Sequence, residues 1–317
     1  MSAPGRHCPL AYRYGAGALA AAATLHADAL WVAGGLYGNL EALATLAERF
    51  AAEPGDKALV FNGDFHWFDV APGEFAQVND AVLAHVATRG NVETELAAPA
   101  PGAGCGCAYP EWVGDRTVQR SNRIHERLRR AAQGAPRSLA RLRELPMVLV
   151  AEVAGERVAI VHGDAESLAG WGFSQERLSS AEGIARAEAA FVAANVRVFA
   201  SSHSCLPVLQ GLRGGRVLAN NGSAGMPNFA GTRFGIVSRI ATRPHPEALY
   251  GLRAGKLHVE AIPIAYDHEA WCARFLGAWP EGSDAHASYF ERMLHGPRYA
   301  REAALRRPPL RAGRRAA

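Results

Sequence analysis

The chain has 317 residues, 49% of them apolar, enough to bury a large core near the upper size that one core serves, so one main domain with an appendage is expected. The formal charge of +4 is carried by a tail, 301–317, in which six arginines stand against Glu302; the body is therefore about neutral and excludes a broadly basic, nucleic-acid-type surface. Five cysteines, an odd and thinly spread set, exclude a secreted disulfide framework, and no segment reaches the ~20 apolar residues of a membrane span.

In chain order, 1–28 reads as an N-terminal segment whose Ala-rich stretch lacks the leucine-rich character of a signal peptide. Ala29–Ala33 is then a buried strand, followed by the Gly34–Gly38 turn and a helix over Asn39–Ala52. Ala58–Asn62 is a second strand ending at Gly63-Asp64. A helix near Glu74–Leu83 leads to the strand His85–Thr88 and the turn Gly90-Asn91. Residues 96–110 read as a loop holding Cys105-Gly106-Cys107, and arginine-rich helices follow near 115–132 and 137–144. Met147–Val153 and Arg157–Val161 form a hairpin that stops at His162-Gly163-Asp164. A helix over Gln175–Ala194 returns to the strand Val196–Ala200, which ends at Ser201-Ser202-His203.

Strands near Val208–Leu212, Arg216–Ala219, Gly235–Ile240 and Leu257–Ile262 complete the sheet region with no long helix between them. An α/β chain with two facing mixed sheets flanked by helices is the simplest architecture for that order. The expected divisions are 1–28, a domain over 29–266, a helical extension over 267–300 with helices at Glu269–Leu276 and Ala285–Leu294, and the tail. With Pro308, Pro309 and Gly313 in it, the tail is expected to be solvated and poorly ordered, with nucleic acid or anionic lipid as the less favoured occupant. The chain is expected to be soluble and cytoplasmic.

Metal-ligating residue types recur at the carboxyl ends of these strands, as Asp64, Asn91, His162 and His203. That edge of an open α/β sheet is where ligands bind, so residues far apart in sequence can converge there. Singly, each is as well explained as a turn residue, a helix cap or a core histidine.

The ordered set resembles the calcineurin-like metallophosphoesterases. That family carries D-x-H-G-N, G-D-x-x-D, G-N-H-D/E, a strand-end histidine before glycine, and G-H-T-H. The corresponding segments here are Gly35-Leu36-Tyr37-Gly38-Asn39, Gly63-Asp64-Phe65-His66-Trp67, Gly90-Asn91-Val92-Glu93, His162-Gly163 and Ser202-His203-Ser204-Cys205. Asn221-Gly222-Ser223 is similar to a turn that often follows the last block, and the likeness spans roughly residues 29–240. It implies a four-layer α/β/β/α sandwich and a hydrolase of phosphate mono- or diesters, acting on a small phosphate ester or nucleotide.

The resemblance also implies where the chain departs from the family. Ligands of the family's first metal fall on Gly35, Tyr37 and Cys205, whereas those of the second fall on Asp64, Asn91, His162 and His203, all intact. One carboxylate with three neutral donors leaves a divalent ion with about one net positive charge and leaves coordination positions for water or phosphate, which suits Zn, Mn or Fe(II). Such an ion lowers the pKa of a bound water from ~15.7 towards ~7, so attack by a metal-bound hydroxide at a single-metal site is chemically sufficient. Tyr37 and Cys205 are candidates for a rebuilt first site, with a packed tyrosine and an inert cysteine as the alternative.

His203, His66 and Glu93 are the candidate catalytic residues, the last two as proton donors now that Val92 stands where the family places a histidine. Asn39 and Arg89 are candidates for a substrate phosphate. The Cys105/Cys107 spacing is too short for a confident zinc pair, although their loop is long enough to cover the site. The competing functional reading is a catalytically inactive relative serving as a phosphate or nucleotide sensor or an interaction scaffold.

Overall fold

A computed structural model describes residues 3–22 and 24–308; of the expected tail, 309–317 lie outside the described residues. In chain order the elements are α1 (Ala16–Ala20), β1 (Thr24–His26), β2 (Ala29–Ala33), α2 (Leu40–Ala52), β3 (Lys57–Asn62), α3 (Glu74–Val82), β4 (Val86–Thr88) and α4 (Asn91–Ala97). Next come α5 (Asp115–Ala132), α6 (Pro136–Glu144), β5 (Val148–Val153), β6 (Glu156–Val161), α7 (Ala181–Ala194), β7 (Val198–Ser201), β8 (Val208–Leu212) and β9 (Arg216–Asn220). The chain continues through β10 (Gly235–Ala241), β11 (Tyr250–Ala254), β12 (Leu257–Ile264), α8 (His268–Ala278), α9 (Asp284–His295) and β13 (Leu305–Arg306).

Two mixed sheets result, one in the order β1-β5-β6-β7-β9-β8-β13 and the other in the order β11-β12-β10-β2-β3-β4. Strand alternation decides how they stack, because neighbouring side chains on a strand point to opposite faces. On β2, Leu30 and Val32 face the second sheet and pack with Val158, Ile160, Val198 and Ala200, while Trp31 and Ala33 face outward under helices. Both faces of β2 are buried, which is why its sequence is continuously apolar. On the other sheet, Val161, Phe199 and Leu218 face outward against α7 residues Ala187 and Phe191. The layers are therefore helix, sheet, sheet, helix, as expected.

Several segments differ from expectation. Tyr250–Ala254 adds a strand, β11, that was not foreseen, and 301–308 of the expected tail are ordered, with Ala304 buried and Leu305–Arg306 paired with β8. Residues 24–26 of the N-terminal segment pair in parallel with β5, and Tyr12 is buried with its hydroxyl donating to Glu95 at 2.5 Å. The expected helix from Gln175 begins instead at Ala181, because the Ser180 side chain caps it by accepting from the Gly183 amide. A further helix, α4, starts at Asn91, where only a turn was expected. No described helix is long and apolar enough to cross a membrane.

Candidate metal centre

The four strand-end residues meet. Asp64 follows β3 and Asn91 follows β4 in one sheet; His162 follows β6 and His203 follows β7 in the other. Both strand pairs run parallel, so each delivers two carboxyl ends to the same edge. The amides of Ser202 and His203 donate to the His162 carbonyl, at 3.1 and 3.0 Å, and lock the two histidine turns together. Asp64 sits at φ 51°, a left-handed conformation that aspartate tolerates better than most residues.

Hydrogen bonds on the outer side orient three of the four residues. His162 Nδ1 faces the Asn62 carbonyl at 2.9 Å, and His203 Nε2 faces the Cys107 carbonyl at 3.1 Å. A carbonyl only accepts, so those nitrogens carry the hydrogens, and His162 Nε2 and His203 Nδ1 are left as lone pairs. Asn91 Nδ2 donates to the Cys105 carbonyl at 2.9 Å, which turns its Oδ1 inward. His162 Nε2 then lies 3.1 Å from Asn91 Oδ1, 3.1 Å from His203 Nδ1 and 3.3 Å from Asp64 Oδ1.

Four acceptors facing one another in a buried site repel unless a positive charge sits among them. Ligands held about 2.0–2.1 Å from a tetrahedral ion are themselves about 3.3 Å apart, so the spacing fits a divalent cation. Asp64, His162 and His203 are the group of described residues with ligand atoms close enough to share an ion.

Without an ion, a proton takes that role. Burial works against charge on His162, but the Asp64 carboxylate outweighs it and lifts the imidazole above its usual range. Burial, followed by the neighbouring His162, pushes His203 down to about 3. Burial would raise Asp64, yet His162, then His203 and the Val92 amide, hold its carboxyl below the usual range.

The other half of the site holds no such cluster. The Tyr37 ring folds back over residue 35, where a Cβ would lie 3.0 Å from its Cζ and its hydroxyl oxygen. Its hydroxyl is 2.9 Å from Cys205 Sγ. Burial, then the adjacent sulfur, drives the Tyr37 phenol well up, and burial raises the Cys205 thiol against the pull of Arg292. The pair is neutral and each member partners the other.

The remaining candidates point elsewhere. His66 is fully buried, stacked on Phe75 at 4.0 Å and bonded to Asp69 Oδ2 at 2.5 Å. Glu93 accepts four amides, from Asp64, Phe65, His66 and Gly90, at 2.8–3.2 Å. Burial and then the Asp64 charge push its carboxyl up, but those amides occupy both oxygens, so it is a clamp holding the β3 and β4 turns together. Asn39 caps α2 through the Ala42 amide and donates to the Gly225 carbonyl. Arg89 reaches the Arg143 carbonyl. None of these four lines the central cavity.

That cavity is small, about 40 Å³, and is lined by Asp64 and His203, by Tyr37 and Cys205, and by the aromatic Trp67, Tyr109, Trp171 and Tyr289. It has room for an ion with a water or two, and is far below the ~300 Å³ of a usual ligand pocket. The 96–110 loop does cover the site, pinned by Trp171 Nε1, which donates to the Cys107 carbonyl at 3.0 Å. The aromatic cover and the orienting carbonyls of Asn62, Cys105 and Cys107 escaped sequence reasoning, since a carbonyl is common to every residue and leaves no signal.

No protein-family model matches the chain, and no curated protein does. Solved structures do. A metallophosphoesterase from Sphaerobacter thermophilus superposes with a TM-score of 0.54 at 16% identity, covering 86% of this chain and 100% of its own. A hypothetical protein from Pyrococcus horikoshii OT3 does so with a TM-score of 0.56 at 15% identity and the same coverages. The chain thus has the metallophosphoesterase fold.

Proposed function

We propose that the protein is a metal-dependent hydrolase of phosphate mono- or diesters that works with a single divalent ion. The observation that carries this reading is the convergence of four lone-pair donors, three of them oriented from outside, on one buried point. When bound, the ion supplies Lewis acidity and an acidified water. Asp64 provides the only carboxylate, so a divalent ion keeps net positive charge with which to attract a phosphate. His162, His203 and Asn91 hold their positions through fixed carbonyl partners. Tyr37, kept protonated by burial, lines the cavity beside its partner Cys205. Trp171 and Tyr109 line the cavity and limit its access to water.

The small size of that cavity, about 40 Å³, favours a second reading, in which the fold binds an ion but turns nothing over and serves as a sensor or scaffold. Zinc, manganese or iron content, measured with hydrolysis of aryl phosphate mono- and diesters, separates the two. Wild type is expected to bind one ion and hydrolyse at least one ester class, and His203→Ala to lose both. Equal metal content and turnover in the two proteins would sink the hydrolase reading; metal binding without turnover would establish the second.

A further inference from the structure

The Cys105-Gly106-Cys107 turn covers the ligand cluster, and its two sulfurs stand 2.7 Å apart. That is well inside the roughly 3.5–4.0 Å at which nonbonded heavy atoms rest, and not far beyond the ~2.05 Å of a disulfide. Both side chains are buried and both thiols are free.

The turn is built to hold this arrangement. Gly106 adopts φ 70°, and a Cβ there would stand 2.4 Å from the Tyr12 hydroxyl oxygen and 2.8 Å from Glu95 Cγ, so only glycine fits. The Cys105 amide donates to Asn122 Oδ1 at 3.0 Å. The Cys105 carbonyl accepts from Asn91, and the Cys107 carbonyl accepts from His203 and Trp171. With both peptides anchored, the sulfurs cannot separate by backbone drift. Cys8 and Cys272 are engaged elsewhere, with Ser167 and His268.

We propose that Cys105 and Cys107 form a redox modification site that closes to a disulfide within the turn, with a small hydroperoxide as oxidant. Cys107, which lines the cavity and whose thiol burial raises above its ordinary range, attacks one peroxide oxygen through Sγ; the O–O bond breaks, the thiol proton passes to the departing hydroxide, and a sulfenic acid and one water result. Cys105 Sγ then displaces the sulfenic hydroxyl, forming the S–S bond and releasing a second water. Two thiols lose two electrons and two protons, and hydrogen peroxide becomes two waters. A cavity of about 40 Å³ admits a molecule of that size.

The ring so closed contains the Cys105 carbonyl, the acceptor that aims Asn91 Oδ1 at the cluster. Oxidation therefore weakens cation binding through an outer partner, by about 10-fold. By reciprocity the cation favours the dithiol by the same factor. This consequence rests on the single-ion reading above; the disulfide does not.

The test uses the full chain, reduced, desalted and exposed to hydrogen peroxide, then alkylated under denaturing conditions and examined by intact and peptide mass. The expected result is loss of two hydrogens, two thiols shielded from alkylation, both in the 105–107 peptide, and recovery with dithiothreitol. In Cys105→Ser the reaction should stop at a Cys107 sulfenic acid that dimedone traps. Five alkylated thiols, or a bond involving Cys8, Cys205 or Cys272, would overturn the proposal. Titration of each form with zinc alone reads the coupling: equal affinities overturn the coupling, while failure of zinc to bind either form overturns the metal reading and leaves the disulfide standing.

Discussion

Glu93 shows how one side chain shapes the candidate metal centre without joining its ligand cluster. Its carboxylate gathers the amides that open the Asp64 turn and the one that precedes Asn91, so two ligands from separate strands share a single anchor. Glu93→Gln keeps the shape but sets an NH₂ group against amide donors, and should destabilise the fold by about 3 kcal/mol in denaturant unfolding. His162 makes a second prediction. Its imidazole holds a proton above the usual histidine range, and a cation must displace that proton. Zinc affinity should fall about tenfold per pH unit below the His162 pKa and level off above it, as read by titration from pH 5 to 8. A third concerns the altered half. Gly35→Asp alone should still bind one ion, because the Tyr37 ring occupies the space; combined with Tyr37→His and Cys205→His it should bind two, as counted by metal analysis.

Among the elements, the arginine-rich α5 and α6 are less available than their sequence suggests. Arg123 pairs with Asp284, Arg127 donates to the Ala278 carbonyl while stacking over Trp279 at 4.2 Å, Arg141 pairs with Asp80, and Arg143 donates to the Ala97 carbonyl. The α5 contacts dock α8 and α9 against the body, those of α6 tie it to α3 and α4, and α9 in turn carries Tyr289 to the cavity and Arg292 to the Cys205 carbonyl. The C-terminal helices therefore help build the site. Exposed ion pairs such as Arg123–Asp284 contribute at most about 1 kcal/mol. Buried Trp279, whose indole donates to the Phe68 carbonyl at 2.9 Å, carries more of the docking, and Trp279→Ala should cost about 3–5 kcal/mol in denaturant unfolding.

For the molecule as a whole, an ion that binds the folded chain and not the unfolded one adds stability by mass action. Zinc at a hundredfold excess over its dissociation constant should contribute about 2.7 kcal/mol and raise the melting temperature. His203→Ala should abolish that rise in a thermal melt, whatever the catalytic outcome. β1 on β5 and β13 on β8 form the two edges of one sheet, the sheet whose inner strands β6 and β7 deliver His162 and His203.

Ala29–Ala33, Val208–Leu212 and 115–132 were legible to the residue, because apolar runs and helical period are local properties of the chain. Asp64, Asn91, His162 and His203 were legible as a set because strand ends in such a sheet share an edge. What those residues face was decided by packing alone. His66 and Glu93 sit two residues from Asp64 and Asn91 in sequence yet turn to Phe75 and to four amides, since a two-residue step in a turn or helix swings a side chain to another face. The same limit hid the Tyr37–Cys205 pair, the covering aromatics and the carbonyls that set each imidazole's tautomer: these are contacts between segments up to 168 residues apart, and they exist only once the two sheets have been laid face to face.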